Sequence, residues 1–283
     1  MGNSMNFLNG TNRLTAYPVA DAFSLAQTFE CGQCFRWEAL GPEIYRGVAF
    51  GRAVCMSLEN GLLTVTCEQD EFDTLWRPYL DLDRDYAAIR SAVSIDEPTA
   101  RAVAYGAGLR ILRQEPWEAL CSFILSQCNN ITRIRGLIAR LCALCGEEIG
   151  ENVYTFPTPE RIASLRETEL RATVRCGYRA PYVIAAARAV AGGTLDLDAL
   201  RALPSAEAKE KLTALPGVGE KVASCMLLFG LGKLDAFPVD VWMRRTVQAL
   251  YGKGFDPAAA FGRYAGIAQQ YLFYQARREH LYQ

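Results

Sequence analysis

Apolar residues recur with two different periods along this chain, and the change of period divides it. Up to about residue 84 the apolar runs are short and broken by turn residues. Phe35-Arg36-Trp37 leads to a turn at Gly41-Pro42, and runs from Ile44 to Phe50, Ala53 to Leu58 and Leu62 to Cys67 follow. Asn60-Gly61 separates the last two runs, and both residues tolerate the positive φ of a two-residue hairpin turn. This spacing predicts an antiparallel meander. Beyond residue 84 the period is helical. Trp117, Leu120, Cys121, Ile124 and Leu125 make one apolar stripe, and Pro116 suits the first turn of that helix. Ile134, Leu137, Ile138, Leu141 and Cys142 repeat the stripe, as do Val183, Ala186, Ala187 and Val190. Pro157, Pro159, Gly192-Gly193 and Pro204 punctuate between helices. The expected class is α+β: an N-terminal antiparallel β-sheet domain over residues 1–100, packed on an all-helical domain over residues 101–283.

Composition narrows the class of protein. The chain has 283 residues, 51% hydrophobic and 22% charged, which is a globular balance with apolar material for more than one core. No run approaches the roughly 18–20 apolar residues of a membrane span. Met1-Gly2-Asn3-Ser4-Met5-Asn6 lacks the apolar run of a signal peptide, and Asn6 stands where a myristoylation site needs Ser or Thr. A cytoplasmic, nucleoid-associated chain of prokaryotic type is the expectation. Ten cysteines and one histidine, His280, raise the question of metal. Cys31/Cys34 and Cys142/Cys145 have CxxC spacing, but the pairs lie far apart and the second pair sits in a helical stripe. Buried free thiols are the better reading, and neither a metal nor a cofactor is expected. Net charge is −1. Its distribution is uneven: residues 1–100 hold 7 Lys+Arg against 14 Asp+Glu, and residues 101–283 hold 23 against 17. Such asymmetry suits a polyanion partner for the second part, or ordinary surface charge.

The most informative stretch is Leu215-Pro216-Gly217-Val218-Gly219. A helix ends near Leu212, a tight turn follows, and a new helix starts at Lys221. Gly217 and Gly219 let the backbone approach a ligand, and amides at a helix start attract a phosphate. By itself this is also an ordinary interhelical turn. Lys221 opens a helix with an apolar inner side of Val222, Cys225, Met226 and Phe229. Nineteen residues on, Phe237-Pro238-Val239-Asp240 puts an aspartate at a helix N-cap position. A lysine in an apolar cleft beside a helix start can act as an amine nucleophile. Taken singly, Lys221 is a surface lysine and Asp240 a plain cap; together with the hairpin they form a site.

These residues resemble the helix-hairpin-helix-GPD DNA glycosylases, with the motif spanning about residues 205–245. The chain is more narrowly similar to the 8-oxoguanine DNA glycosylase/AP lyases. That likeness runs through Gly32-Gln33-Cys34-Phe35-Arg36-Trp37, Asn129-Asn130-Ile131-Thr132-Arg133-Ile134, Cys176-Gly177-Tyr178-Arg179-Ala180 and Tyr264-Ala265-Gly266-Ile267-Ala268-Gln269 with Phe273. The resemblance implies a TBP-like β-rich front domain and a base flipped out of damaged double-stranded DNA. It implies that Lys221 attacks the sugar C1′, that a Schiff base then permits β-elimination, and that Asp240 stabilises the charge developing on the sugar. It assigns the Gly32 carbonyl to the N7–H that 8-oxoguanine has and guanine lacks. Cys225 and Phe273 would sandwich the base and Gln269 would read its Watson–Crick edge. Arg133 and Arg179 would hold the orphaned cytosine, with Tyr178 wedged beside it and Asn130 steadying the turn. No membrane partner is implied, and the protein is expected to be a monomer.

Three positions depart from the pattern. Cys128 stands where an Asn often fills the vacated space, and a thiol is a poorer donor than an amide. Trp242 stands where a His often touches phosphate, and Ala276 where an acidic residue is common; the pair would be lost as a unit. Two other readings stay open at the level of sequence. One is a related glycosylase for another lesion, against which the Gly32 segment and the lack of iron–sulfur spacing count. The other is a hairpin DNA-binding module without chemistry, which would not require Lys221 and Asp240 together.

Overall fold

The computed structural model describes residues 13–281, so the Met1–Asn6 stretch weighed above lies outside the described residues. Contacts gather the chain into two units. The first holds residues up to Val48, Ala53–Arg113 and the chain from Val241 onward; the second holds Ala49–Arg52 and Gln114–Asp240. These units run differently from a cut at residue 100. The reason is the last helix, Ala265–Arg278, which packs on the Glu97–Tyr105 helix and on the Val241–Tyr251 helix.

The first unit carries a sheet of β1 (Thr15–Pro18), β2 (Trp37–Gly41), β3 (Ile44–Ala49), β4 (Arg52–Glu59) and β5 (Leu62–Val65). Its order is β1-β5-β4-β3-β2. The expected meander is β2 to β5. Asn60 and Gly61 take φ of 51° and 77°, and Glu59 stands opposite Leu62, as a two-residue hairpin requires. β1 is an addition that four residues ending in a proline do not announce. It pairs with β5, and the Thr15 hydroxyl donates to the Cys67 carbonyl at 3.0 Å. Trp37 pairs with Gly47, where a Cβ would lie 2.5 Å from the indole, so glycine makes room for the ring. The indole stacks on Phe29 at 4.0 Å, and its N–H donates to the Tyr79 hydroxyl at 2.8 Å. Trp76 meets it edge-on at 6.3 Å. Helical structure begins well before residue 84: Gln69–Glu71 runs into a π-helical turn at Phe72–Trp76 and then Arg77–Tyr79. The irregular turn and Pro78 blur the helical period there, and the short Leu25–Glu30 helix, capped by Ser24, is too brief to show one.

The second unit is built around the Pro116–Ser126 helix, most of whose residues are buried. Pro116 sits in its first turn as expected. The Ile131–Cys145 helix, the Ala180–Ala191 helix and a π-helical turn at Met226–Gly230 pack on it. A two-stranded hairpin, Glu148–Gly150 with Val153–Tyr154, interrupts an otherwise helical unit. Among the described residues, no helix is long and apolar enough to cross a membrane.

Candidate active site

The second unit folds the glycine turn into a helical hairpin. The Ser205–Thr213 helix ends, Val218 N–H donates to the Leu215 carbonyl at 3.1 Å, and the Glu220–Cys225 helix begins. Gly217 has φ +78°, and a Cβ there would lie 2.1 Å from the Tyr182 ring. Two independent constraints therefore require glycine. Gly219 is exposed, and a Cβ on it would meet nothing within 4 Å, so its backbone is open to an approaching group.

Lys221 is the second residue of the new helix and is partly buried. Its ammonium nitrogen Nζ donates to Ser126 Oγ at 3.0 Å and lies 5.3 Å from the centre of the Phe123 ring. Ser126 is 8% exposed, and its own hydroxyl proton goes to the Phe123 carbonyl at 2.8 Å. The buried Cys225 thiol lies one helical turn along and feels the lysine charge. Burial pushes this thiol up; the lysine opposes that, and the charge of Asp240 adds to it. Lys221, Cys225 and Asp240 thus share one electrostatic neighbourhood. Asp240 is partly buried and immediately precedes the Val241–Tyr251 helix.

Two turns lie beside the hairpin. At the end of the Pro116–Ser126 helix, Gln127 Nε2 donates to the carbonyls of Ile124 and Gly217, both at 3.0 Å, tying the hairpin to the helix. Cys128 follows with φ 48° and an exposed thiol. Asn130 caps the Ile131–Cys145 helix by accepting the Arg133 N–H at 2.9 Å, while the Arg133 side chain is exposed. The second turn holds Gly177–Arg179. Arg179 is only 4% exposed. Its guanidinium donates to the Gln127 carbonyl through Nε at 2.8 Å and again through Nη2, to Cys128 O at 3.3 Å and to Cys176 O at 3.4 Å. Tyr178 is 47% exposed, and the guanidinium lies 4.3 Å from its ring centre. The hydrogen bond with the Cys128 thiol raises the Tyr178 hydroxyl above its ordinary value. In this structure Arg179 therefore braces the 127–128 turn, whereas Arg133, Tyr178 and Cys128 present side chains to solvent.

The remaining expected residues belong to the first unit. Gly32 has φ +88° in a loop whose neighbours are fixed. Gln33, fully buried, donates to the Thr28 and Arg110 carbonyls and accepts from Leu112 N–H. Gln270 donates to the Cys31 carbonyl at 2.9 Å. Gln269 is 4% exposed, and its Oε1 is buried with no hydrogen-bond partner, a cost that a ligand donor would relieve. Phe273 is partly buried on the same helix, and Ala276 is buried one turn further on. Trp242 is partly buried in the first turn of the Val241–Tyr251 helix.

Sequence reasoning passed over Ser126, Phe123 and Gln127. A faint signal existed: Ser126 is a polar residue ending a helix whose other buried residues are mostly apolar.

A hairpin of this form, with its lysine and a following aspartate, defines the helix-hairpin-helix class of DNA glycosylases, and the comparisons agree. The HhH-GPD superfamily of base excision DNA repair proteins matches residues 121–259, and the 8-oxoguanine DNA glycosylase N-terminal domain matches residues 16–120. The N-glycosylase/DNA lyase of Arabidopsis thaliana is 32% identical, covering 88% of this chain and 76% of that protein. The N-glycosylase/DNA lyase of Saccharomyces cerevisiae is 34% identical, covering 80% and 68% respectively. The crystal structure of the Clostridium acetobutylicum 8-oxoguanine glycosylase/lyase, in complex with double-stranded DNA bearing cytosine opposite 8-oxoguanine, superposes with a TM-score of 0.86. It is 32% identical and covers 95% of this chain and 99% of that one. The chain belongs to the 8-oxoguanine N-glycosylase/DNA lyase family.

Proposed function

We propose that this protein excises 8-oxoguanine opposite cytosine from double-stranded DNA and then nicks the abasic strand. One observation carries the reading: the Lys221 amine is held by the Ser126 hydroxyl and the Phe123 ring face at the start of the hairpin's second helix, in the same electrostatic neighbourhood as the Cys225 thiol and Asp240. Lys221 attacks C1′ and displaces the base. The resulting imine acidifies the neighbouring sugar C–H, and β-elimination breaks the 3′ phosphodiester. Asp240 stabilises the positive charge that grows on the sugar.

The other roles follow the family. The Gly32 carbonyl accepts the N7–H of the lesion, a discrimination that leaves guanine with an unmet acceptor. Gln269, with its buried unpartnered oxygen, reads the base edge, and Cys225 and Phe273 sandwich it. Gly217 and Gly219 bring hairpin amides to a phosphate, with Trp242 on the phosphate side. Cys128, Asn130, Arg133, Tyr178 and Arg179 serve the opposite strand. The protein acts as a cytoplasmic, nucleoid-associated monomer of prokaryotic type.

The test is a duplex with one 8-oxoguanine opposite C, incubated with protein and borohydride. A covalent adduct should form with the wild-type chain and be absent with Lys221→Gln. Tight binding without an adduct would indicate a glycosylase without lyase chemistry or a binding module. Absence of binding would remove the substrate assignment.

A further inference from the structure

Ser126 has the geometry of a residue that acts on the nucleophile rather than on DNA. It closes the Pro116–Ser126 helix, is 8% exposed, and comes to Lys221 from 95 residues earlier in the chain. Its hydroxyl proton is committed to the Phe123 carbonyl at 2.8 Å. Towards Lys221 the oxygen therefore only accepts, and Nζ donates to it at 3.0 Å.

A neutral amine has two N–H bonds and one lone pair. One N–H is directed to Ser126 Oγ at 3.0 Å, while the Cys225 thiol, one helical turn along, lies close enough to feel the lysine charge. The Phe123 ring closes a further side at 5.3 Å. With one N–H fixed on Ser126 and the ring face blocking a second direction, the lone pair is turned away from both. Attack on a sugar carbon needs that lone pair aligned with the carbon, and small misalignments cost rate steeply.

We propose that Ser126 is a positioning residue: by accepting one N–H of Lys221 it sets the direction of the amine lone pair. The inference rests on Lys221 being the nucleophile. Sequence likeness around the hairpin does not reach it, because Ser126 lies on a different helix and its partner is an ordinary i−3 carbonyl.

The experiment compares wild-type protein with Ser126→Ala in three measurements. These are single-turnover release of 8-oxoguanine at saturating protein, cyanoborohydride trapping at a preformed abasic site, and affinity for a duplex carrying an uncleavable lesion analogue. Ser126→Ala should slow base release and trapping by the same factor, about tenfold, with affinity unchanged. Both steps use the same amine, whereas only the first uses base recognition. Slowed base release with normal trapping, weakened affinity with normal single-turnover rates, or no change at all would each overturn the role. If Ser126→Ala melts early, Ser126→Cys keeps the shape, offers sulfur as a weak acceptor, and should show the same pairing of effects. If wild-type protein gives no imine at an abasic site, the nucleophile assignment fails, and Ser126 falls with it. A normal wild-type imine with a fully active Ser126→Ala removes only the present inference.

Discussion

Each unit of this protein draws a cation out of solvent, Arg110 fully and Lys221 in part, and the two are satisfied in different ways. In the first unit Arg110 is 2% exposed and meets a full carboxylate: its Nη2 lies 3.1 Å from Asp21, which Arg90 also holds at 2.5 Å. The Tyr86 ring lies 4.2 Å from the Arg110 guanidinium carbon, and the Leu109 carbonyl takes another donor. In the second unit the direct contacts to Lys221 are a hydroxyl and a ring face, with the Cys225 thiol and the Asp240 carboxylate in its electrostatic surroundings. A structural cation is best neutralised, because an unpaired buried charge is costly. An amine that must lose a proton and attack is better held by neutral groups, which orient it without locking the charge in place. The comparison separates a scaffold ion from a reactive one within a single chain.

The sharpest way to break the comparison is to remove each cation's function in turn. Lys221→Gln should leave the melting temperature near wild type and lower adduct formation on the order of 10³-fold or more, since the attacking atom is gone. A variant that unfolds instead would make Lys221 a scaffold residue like Arg110. Asp21→Asn should do the reverse. It leaves Arg110 buried without its counter-charge and should destabilise by about 2–3 kcal/mol, the lower figure reflecting the 32% exposure of Asp21. Chemical denaturation measures it, and an unchanged midpoint would show that Tyr86 and the Leu109 carbonyl suffice.

The same pair predicts a pH dependence. The side-chain hydrogen bond from Arg90 holds the Asp21 carboxyl below its ordinary value of 3.8. Its contribution to stability is therefore present above the unfolded-state value and is lost as pH falls through the lowered folded one. Wild-type protein should lose this increment only below about pH 4, and Asp21→Asn should lack that limb of the acid profile.

How much of this was legible beforehand depends on sequence separation. The hairpin reads directly, since Gly217, Gly219 and Lys221 are neighbours and each has a local reason for its identity. Asp240 is legible through its place ahead of a helix. The meander is legible through Asn60-Gly61 and alternation. Ser126 was not, because a serine at a helix end has many uses and only the fold brings it to Lys221. The helical turn at Phe72–Trp76 hides its period in π geometry. The last helix joins the first unit through contacts that no local pattern reveals, and the same packing carries Gln270 to the Cys31 carbonyl beside Gly32. Residue type and spacing announce local structure; who supplies the second hydrogen bond is decided by tertiary packing.

A smaller effect tests the hairpin itself. Gly217→Ala meets both a left-handed φ and the Tyr182 ring, so it should destabilise by about 2 kcal/mol. Because Gln127 holds the Gly217 carbonyl, the distortion should pass to the 127–128 turn and weaken DNA binding. Loss of stability with undiminished affinity would show that the hairpin backbone is not a phosphate contact.

The smallest expected effect is also the one that best tells scaffold from reader. Arg179 sits in the functional unit yet is satisfied like a scaffold cation, through the carbonyls of Gln127, Cys128 and Cys176. Arg179→Lys keeps the charge but replaces a planar fork with a point donor, which cannot reach all three carbonyls at once. As a brace, Arg179 should then contribute about 1 kcal/mol of stability, and its replacement should slow excision opposite C and opposite A by similar factors. As a reader of the opposite strand, it should leave the melting temperature unchanged and lose rate opposite C alone. Measuring both rates with both opposite bases decides between them. A mixed result, with lost stability and a C-specific penalty, would mean that Arg179 exchanges its carbonyl partners for the orphaned base when DNA binds.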